Sequence, residues 1–364
     1  MMSGRPLTLG EALRRENNNA DLFRLIAALA VIWGHAYALA PEDGAKEPIG
    51  SLLGFDYSGS LAVKFFFFLS GILVTSSWMR QQSPIKFAVA RIFRIFPALI
   101  VSGAICMLVI GPMLSTLPTN AYFSNTWMYG HIIRYPYLDY EIPGAFQSNA
   151  YHAGNGSIWT IRYELLMYAI LLGLGLCGLF RSKLAAGAVY SAGIVWFLMR
   201  PESISVFGLL DVNDGGRLPA FFAFGVVLAL YKDKIQIDVK LILGLCILAW
   251  LLREGPAFEY AFYPAFLLAP IWLMTTGPIR AIKLPGDFSY GVYVYGWPIQ
   301  QTFAALLPHK GPYINQALSM ATAIIAGALS WYLIEKPCIN FGHRLPALLG
   351  RGRASPGSPP VGVK

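Results

Sequence analysis

Residues 19–37 read NADLFRLIAALAVIWGHAY, from Asn19 to Tyr37. The apolar stretch runs over 20–40, and about 20 mostly apolar residues are what a helix needs to cross a hydrocarbon core about 30 Å thick. It is not uniformly apolar, because it carries Arg24 and His35. They stand 11 residues apart, which at about 100° per residue returns both to one helical face, about 16 Å apart along the axis. Ionisable side chains within a span are costly and face the interior of a bundle, where they mark function. The plainer alternatives are an Arg24 that snorkels to the headgroups and a His35 bonded to a neighbouring carbonyl.

The pattern recurs along the chain. Further candidate spans fall at 60–79, 95–115, 157–180, 184–200, 217–231, 239–253, 260–277, 287–307 and 313–335. Of 364 residues, 56% are hydrophobic and 13% charged, with a mean hydropathy of +0.53. Soluble domains carry about 25% charged residues, so a water-soluble globule is excluded, as are disordered, collagen-like and disulfide-scaffold chains. The expectation is an all-α polytopic membrane protein, a bundle of about ten transmembrane helices. Residues 1–19 form an N-terminal segment, 20–343 the ten-span membrane domain, and 344–364 a disordered tail rich in Gly, Pro and Ser. No small-residue cleavage site follows the first span, which therefore reads as a retained helix rather than a signal peptide. No internal repeat is evident.

The basic residues orient the bundle. Of 28 Lys and Arg residues, 19 fall in segments on the side of the N-terminus and 6 on the other; Arg24, Lys64 and Arg162 lie within spans. The positive-inside rule then places both termini in the cytoplasm. The net charge of +9 is accounted for by topology, and no nucleic-acid partner is implied. Lys64, at the outer end of the second span, reads as a snorkelling charge. Cys106, Cys177, Cys246 and Cys338 form no CxxC pair and the histidines no HxxxH or HxH pair, so neither a disulfide framework nor a metal site is expected.

Arg91 and Arg94, in RIFRIFP, share one side of a helix by their i, i+3 spacing at the cytoplasmic entry of the third span. Forked guanidiniums suit phosphate oxygens, although positive-inside anchoring also puts arginines there. The fourth span opens with GSIWTIRYELLMY, Gly156 to Tyr168. It places Glu164 about 10 Å below an outer boundary at Ser157, and His35 about 8 Å below its own boundary near Ala40. The carboxylate and the imidazole are thus expected at one depth; pairing of Glu164 with Arg162 is the structural alternative. Glu335, in the closing Glu335-Lys336-Pro337, is level with the arginines and reads as a structural salt-bridge partner. The longest outer segment, 116–156, is rich in aromatics (Tyr135, Tyr137 and Tyr140 among them) and carries Asp139 and Glu141. That composition suits an interfacial belt or a sugar.

Six blocks in register resemble the acyltransferase 3 family of membrane O-acyltransferases, which modify bacterial surface glycans, O-antigen and nodulation factors. They are Asp21-x-x-Arg24…His35, Phe65-Phe-Phe-Phe-Leu-Ser70-Gly71, Arg91-x-x-Arg94-Ile-x-Pro97, Ser157-Ile-Trp159…Tyr163-Glu164…Tyr168, Ser289-Tyr290-Gly-Val-Tyr293…Pro298 and Glu335-Lys-Pro337. They span the chain from about Asn19 to Pro337. Many relatives have His before the proline where this chain has Gly296-Trp297-Pro298, so no catalytic role is placed there. A C-terminal extracellular SGNH domain, present in some relatives, is not expected from these 364 residues.

The resemblance implies ten helices in a bacterial inner (plasma) membrane, acyl-CoA (acetyl-CoA first) as cytoplasmic co-substrate, and a carbohydrate acceptor outside. Other proteins of envelope glycan assembly are further partners it implies. Matched residue by residue, Arg24 and His35 correspond to the family's essential basic residue and histidine, and Arg91 and Arg94 to its RxxR motif. The mechanism expected has the three arginines at the CoA phosphates. His35 is the general base on a sugar hydroxyl, or a transiently acylated histidine, with Glu164 orienting it or binding the sugar. Asp21, Ser70, Trp159, Tyr163, Tyr290 and Glu335 are expected as substrate-binding or supporting residues. The rival function is a transporter or flippase for a glycan or lipid-linked sugar, which would usually show a repeated architecture.

Overall fold

The computed structural model describes residues 7–134, 141–207 and 215–351. Among them the chain is helical throughout, without a strand. Each candidate stretch contains a helix: α1 (Ala20–Leu39), α2 (Ser58–Gln81), α3 (Pro84–Ile105), α4 (Trp159–Leu176), α5 (Lys183–Met199), α6 (Leu218–Leu230), α7 (Val239–Leu251), α8 (Phe258–Leu273), α9 (Ser289–Leu306) and α10 (Gly311–Ser330). An eleventh, α11 (Lys336–Arg351), continues from α10. By length and composition five stretches can cross a membrane: Ala20–Leu39, Ser58–Gln81, Pro84–Leu114, Gly156–Leu176 and Gly311–Pro346. Helices α5 to α8 are shorter and apolar. Tyr135, Tyr137, Asp139 and Tyr140 lie outside the described residues, as does 352–364; α11 itself runs into the stretch 344–364 read as a tail.

Local sequence sets the helix starts. Asn19 accepts from the Leu22 amide at the head of α1, Ser182 from Ala185 at α5, and Asp238 from Leu241 at α7. Each satisfies an amide that the helix leaves unpaired. At α3, Ser83 caps and Pro84 follows, where its missing N–H costs nothing.

Helix α2 is the hub, packed on α1 along one side and on α6 along the other. The α2–α6 contact is backbone to backbone. A Cβ on Gly71 would stand 2.2 Å from the Phe222 carbonyl oxygen, and one on Gly225 2.1 Å from that of Phe68. A second such pair, Gly291 and Gly327, joins α9 to α10. Small residues that let backbones approach are how helices associate in lipid, where apolar burial between them brings little.

Two helices are interrupted by π turns. Helix α3 passes through Cys106–Ile110 into Gly111–Leu114, and the Tyr122 hydroxyl, 2.7 Å away, donates to the Met107 carbonyl there. Helix α10 passes through Trp331–Glu335. Such bulges re-aim side chains, and this one holds Glu335 inward at 1% exposure.

The segment before α4 does not stay at the bundle's edge. Asn149 and Tyr151 are tied to Gln301, Ala153 to Trp297 and Gln301, Asn155 to Val294 and Ser157 to Tyr293. The chain thus descends along α9, and α4 starts well inside the bundle. Ser157 is therefore no boundary residue, and the depth assigned to Glu164 from it is corrected below. Lys64 is also corrected: it is 7% exposed and paired with Asp56 at 2.6 Å rather than snorkelling.

Replacing Gly71 by Leu is expected to lower stability in detergent by about 1–3 kcal/mol or more, the cost of overpacking a tight contact, because the obstacle is backbone. Gly173→Ala, where a Cβ meets nothing within 4 Å, is expected to show no loss. Thermal unfolding of both variants checks this.

Candidate active site

The end of the bundle where α1, α3 and α9 begin carries a chain of charges. Asp287, just ahead of α9, accepts from Arg24 of α1 at 3.0 Å and from Arg94 of α3 at 2.8 Å. Arg94 also reaches Glu335 at 3.2 Å, whose other oxygen accepts from Ser330 at 2.9 Å. Asp21 accepts from Arg24 as well. Asp287 is buried, and the Ser289 hydroxyl donates to its other oxygen. Sequence reasoning missed Asp287; its position two residues before Ser289, in the Gly286-Asp287-Phe288 turn, was the available signal.

Arg91, one turn from Arg94, is in a different state. Its guanidinium lies 5.8 Å from the Phe87 ring centre and 5.7 Å from that of Tyr168. It makes no ion pair with a described residue, and its buried Nε has no hydrogen-bond partner. The spacing put both arginines on one side; the structure makes one a tie and leaves the other available.

All three arginines line an interior cavity of about 170 Å³, together with Ser70, Thr160, Glu164, Tyr168, Ser289, Tyr290 and Tyr293 and an apolar wall that includes Phe66 and Leu73. Glu164 accepts from the Tyr168 hydroxyl, which is 2.7 Å from Ser70 Oγ. The Tyr290 hydroxyl donates to the Ile95 carbonyl at 2.8 Å, and its ring lies 5.5 Å from the Arg94 guanidinium. Trp159 and Tyr163 pack edge to face at 5.5 Å, with Tyr163 buried. Neither of these two lines the cavity.

His35 does not line it either. Its ring packs against Trp297 at 4.9 Å and Tyr57 at 6.5 Å, and neither ring nitrogen hydrogen-bonds to a described residue. The expected meeting of Glu164 with His35 is therefore corrected. Because α4 begins inside the bundle, about five more residues of helix carry Glu164 down to the arginines. Trp297, which sequence analysis left without a role, is the ring that touches His35, and it fills the space beside Gly156, where a Cβ would stand 2.6 Å from it. Among the described residues no cluster of His, Cys, Asp and Glu is placed to hold a metal ion.

A family model described as an acyltransferase domain, acyltransferase 3, matches residues 17–335. The chain is 31% identical over 337 residues to an O-acetyl transferase of Shigella phage Sf6, covering 88% of this chain and 96% of that protein. It is 30% identical over 362 residues to nodulation protein 10 of Rhizobium leguminosarum bv. viciae, covering 91% and 95%. No solved structure matches the chain significantly.

Arg94→Ala strands the buried Glu335 and leaves Asp287 to Arg24 alone, and is expected to cost about 3 kcal/mol, the scale of breaking a buried pair from one side. Arg91→Ala removes no ion pair and is expected to unfold at the wild-type temperature. A thermal melt of the two detergent-solubilised variants distinguishes them.

Proposed function

Because the chain belongs to the acyltransferase 3 family, we propose that it is a membrane O-acyltransferase that moves an acyl group, acetyl first, from cytoplasmic acyl-CoA to a hydroxyl of an extracytoplasmic carbohydrate. The family match and two relatives of nearly the same length support the chemistry. The proposed topology is ten spans with both termini inside, which rests on the Lys and Arg distribution. It sets the Arg24–Asp287–Arg94 end towards the cytoplasm and His35 towards the outer half.

The observation that carries the donor assignment is Arg91, a guanidinium on the cavity wall that makes no salt bridge to a described residue and has only the uncontacted Glu164 carboxylate on the same wall. An unpaired fork of donors inside a membrane domain is costly unless a ligand anion completes it. Arg24 and Arg94, paired with Asp287 and, for Arg94, Glu335, hold the wall in place. At about 170 Å³ the cavity is below the 300–1,000 Å³ or so typical of sites that enclose a whole ligand. It accordingly takes the narrow pantetheine arm of the donor, with the nucleotide beyond it on the cytoplasmic side, a donor phosphate at Arg91, and the thioester carried past the cavity to His35. The Glu164–Tyr168–Ser70 row balances charge in this wall rather than orienting His35.

In the transfer step the imidazole of His35 takes the proton of the acceptor hydroxyl as its oxygen attacks the thioester carbonyl. The C–S bond breaks, the sugar ester forms, and the departing thiolate collects the proton from the imidazolium. With neither ring nitrogen hydrogen-bonded to a described residue, the base is uncommitted before substrate arrives.

The test is equilibrium binding of radiolabelled acetyl-CoA to purified protein. Arg91→Ala is expected to weaken it at least tenfold, while His35→Ala binds as wild type and transfers nothing. Folded protein that binds neither acetyl-CoA nor succinyl-CoA would overturn the donor assignment and favour a glycan transporter.

A further inference from the structure

A second polar cavity lies at the opposite end of the bundle, where α1 has ended and α2, α6 and α8 begin. It measures about 450 Å³, and its functional lining is Asp56, Tyr57, Lys64, Arg217, Glu259 and Tyr263. None of these residues lines the arginine cavity. The Lys64–Asp56 pair is deep, with side chains 9% and 3% exposed, whereas Arg217 and Glu259, which also pair, are 34% and 20% exposed. The Tyr263 hydroxyl stands between the two pairs, 3.1 Å from Asp56 and 3.2 Å from Glu259.

Buried ion pairs are weak contributors to stability, since apolar residues of similar volume hold a fold as well or better. Two pairs bridged by a tyrosine around an open space point to a ligand instead. The four charges cancel, which disfavours an anion or a cation. Two carboxylates alternate with an ammonium and a guanidinium, and this row of acceptors and donors matches vicinal hydroxyls, each of which donates and accepts. The half-buried Tyr57 ring offers an apolar surface beside them, as a sugar ring with one C–H face requires, while the Tyr263 ring is packed against Phe221 at 4.9 Å and presents its hydroxyl. The volume falls within the range of about 300–1,000 Å³ for small-molecule sites. The wall also leads to the chemistry, because the Tyr57 ring is 6.5 Å from that of His35.

We propose that this cavity is the acceptor site and takes a neutral, polyhydroxylated sugar residue, held by the Asp56–Lys64 and Arg217–Glu259 pairs beside His35. The inference rests on the acyltransferase reading for its use, and on the cavity alone for its ligand class.

The experiment measures binding of methyl glycosides of glucose, galactose, rhamnose and N-acetylglucosamine to purified protein by saturation-transfer NMR, with methyl glucuronide as the anionic arm. The variants are Arg217→Gln with Glu259→Gln, which removes the shallower pair and keeps its bulk, and Tyr263→Phe, which keeps the ring. Melting curves establish that each is folded. At least one neutral glycoside is expected to bind, with affinity reduced tenfold or more in the paired variant and several-fold in Tyr263→Phe. Acetyl-CoA binding should be unchanged in both. No neutral glycoside bound, binding undiminished in the folded variants, or a preference for the glucuronide would overturn the proposal. Acetyl-CoA binding with no glycoside binding would leave the donor reading standing, and the converse would remove that reading and leave the sugar site.

Discussion

One carboxylate holds the interior together. Asp287 is shared by guanidiniums from two helices, and through Arg94 it is linked to Glu335 at the foot of α10. It sits at the start of α9, where the helix dipole favours a negative charge, and the Ser289 hydroxyl supports it at 2.6 Å. In a medium that charges every unpaired ion heavily, this arrangement fixes α1, α3, α9 and α10 against one another. It also creates a contrast, because the same short turn of α3 carries Arg91, which makes no salt bridge to a described residue. A cavity can present a cation to a ligand only if its other cations are already satisfied.

The six sequence blocks that carry the family resemblance become intelligible as one neighbourhood. Gly71 is where α2 touches the backbone of α6, Ser70 and Tyr168 are hydrogen-bonded across α2 and α4, and Ser157 meets the Tyr293 carbonyl between α4 and α9. Glu335 is turned inward by a π segment. Side chains far apart in the chain thus serve two purposes, close helix contact and a polar interior wall.

The helices were legible because apolar runs of the right length announce themselves, and the arginines because their spacing fixes a face. What spacing cannot reveal is which arginine is paired, since the carboxylates concerned are 193 and 241 residues away. Lys64 was misplaced for a related reason: a lysine near a span end usually reaches outward, but Asp56, in the loop ahead of α2, draws it in. The depth of Glu164 was misjudged because 149–157 looks like an outer loop. Its asparagines and serine are instead the groups that let an extended segment run beside α9 with its backbone satisfied. The π turns leave no mark in composition or period.

The two cavities have no residue in common, and the rings of Trp297 and Tyr57 stand against His35. Separate linings serve insulation. An energised bilayer stores work as ion and proton gradients, and a continuous wet path joining a basic chamber at one end of the bundle to a polar one at the other would discharge them. Keeping the chambers apart confines communication across the membrane to the width of a few side chains, so that what crosses is a bound group and not water.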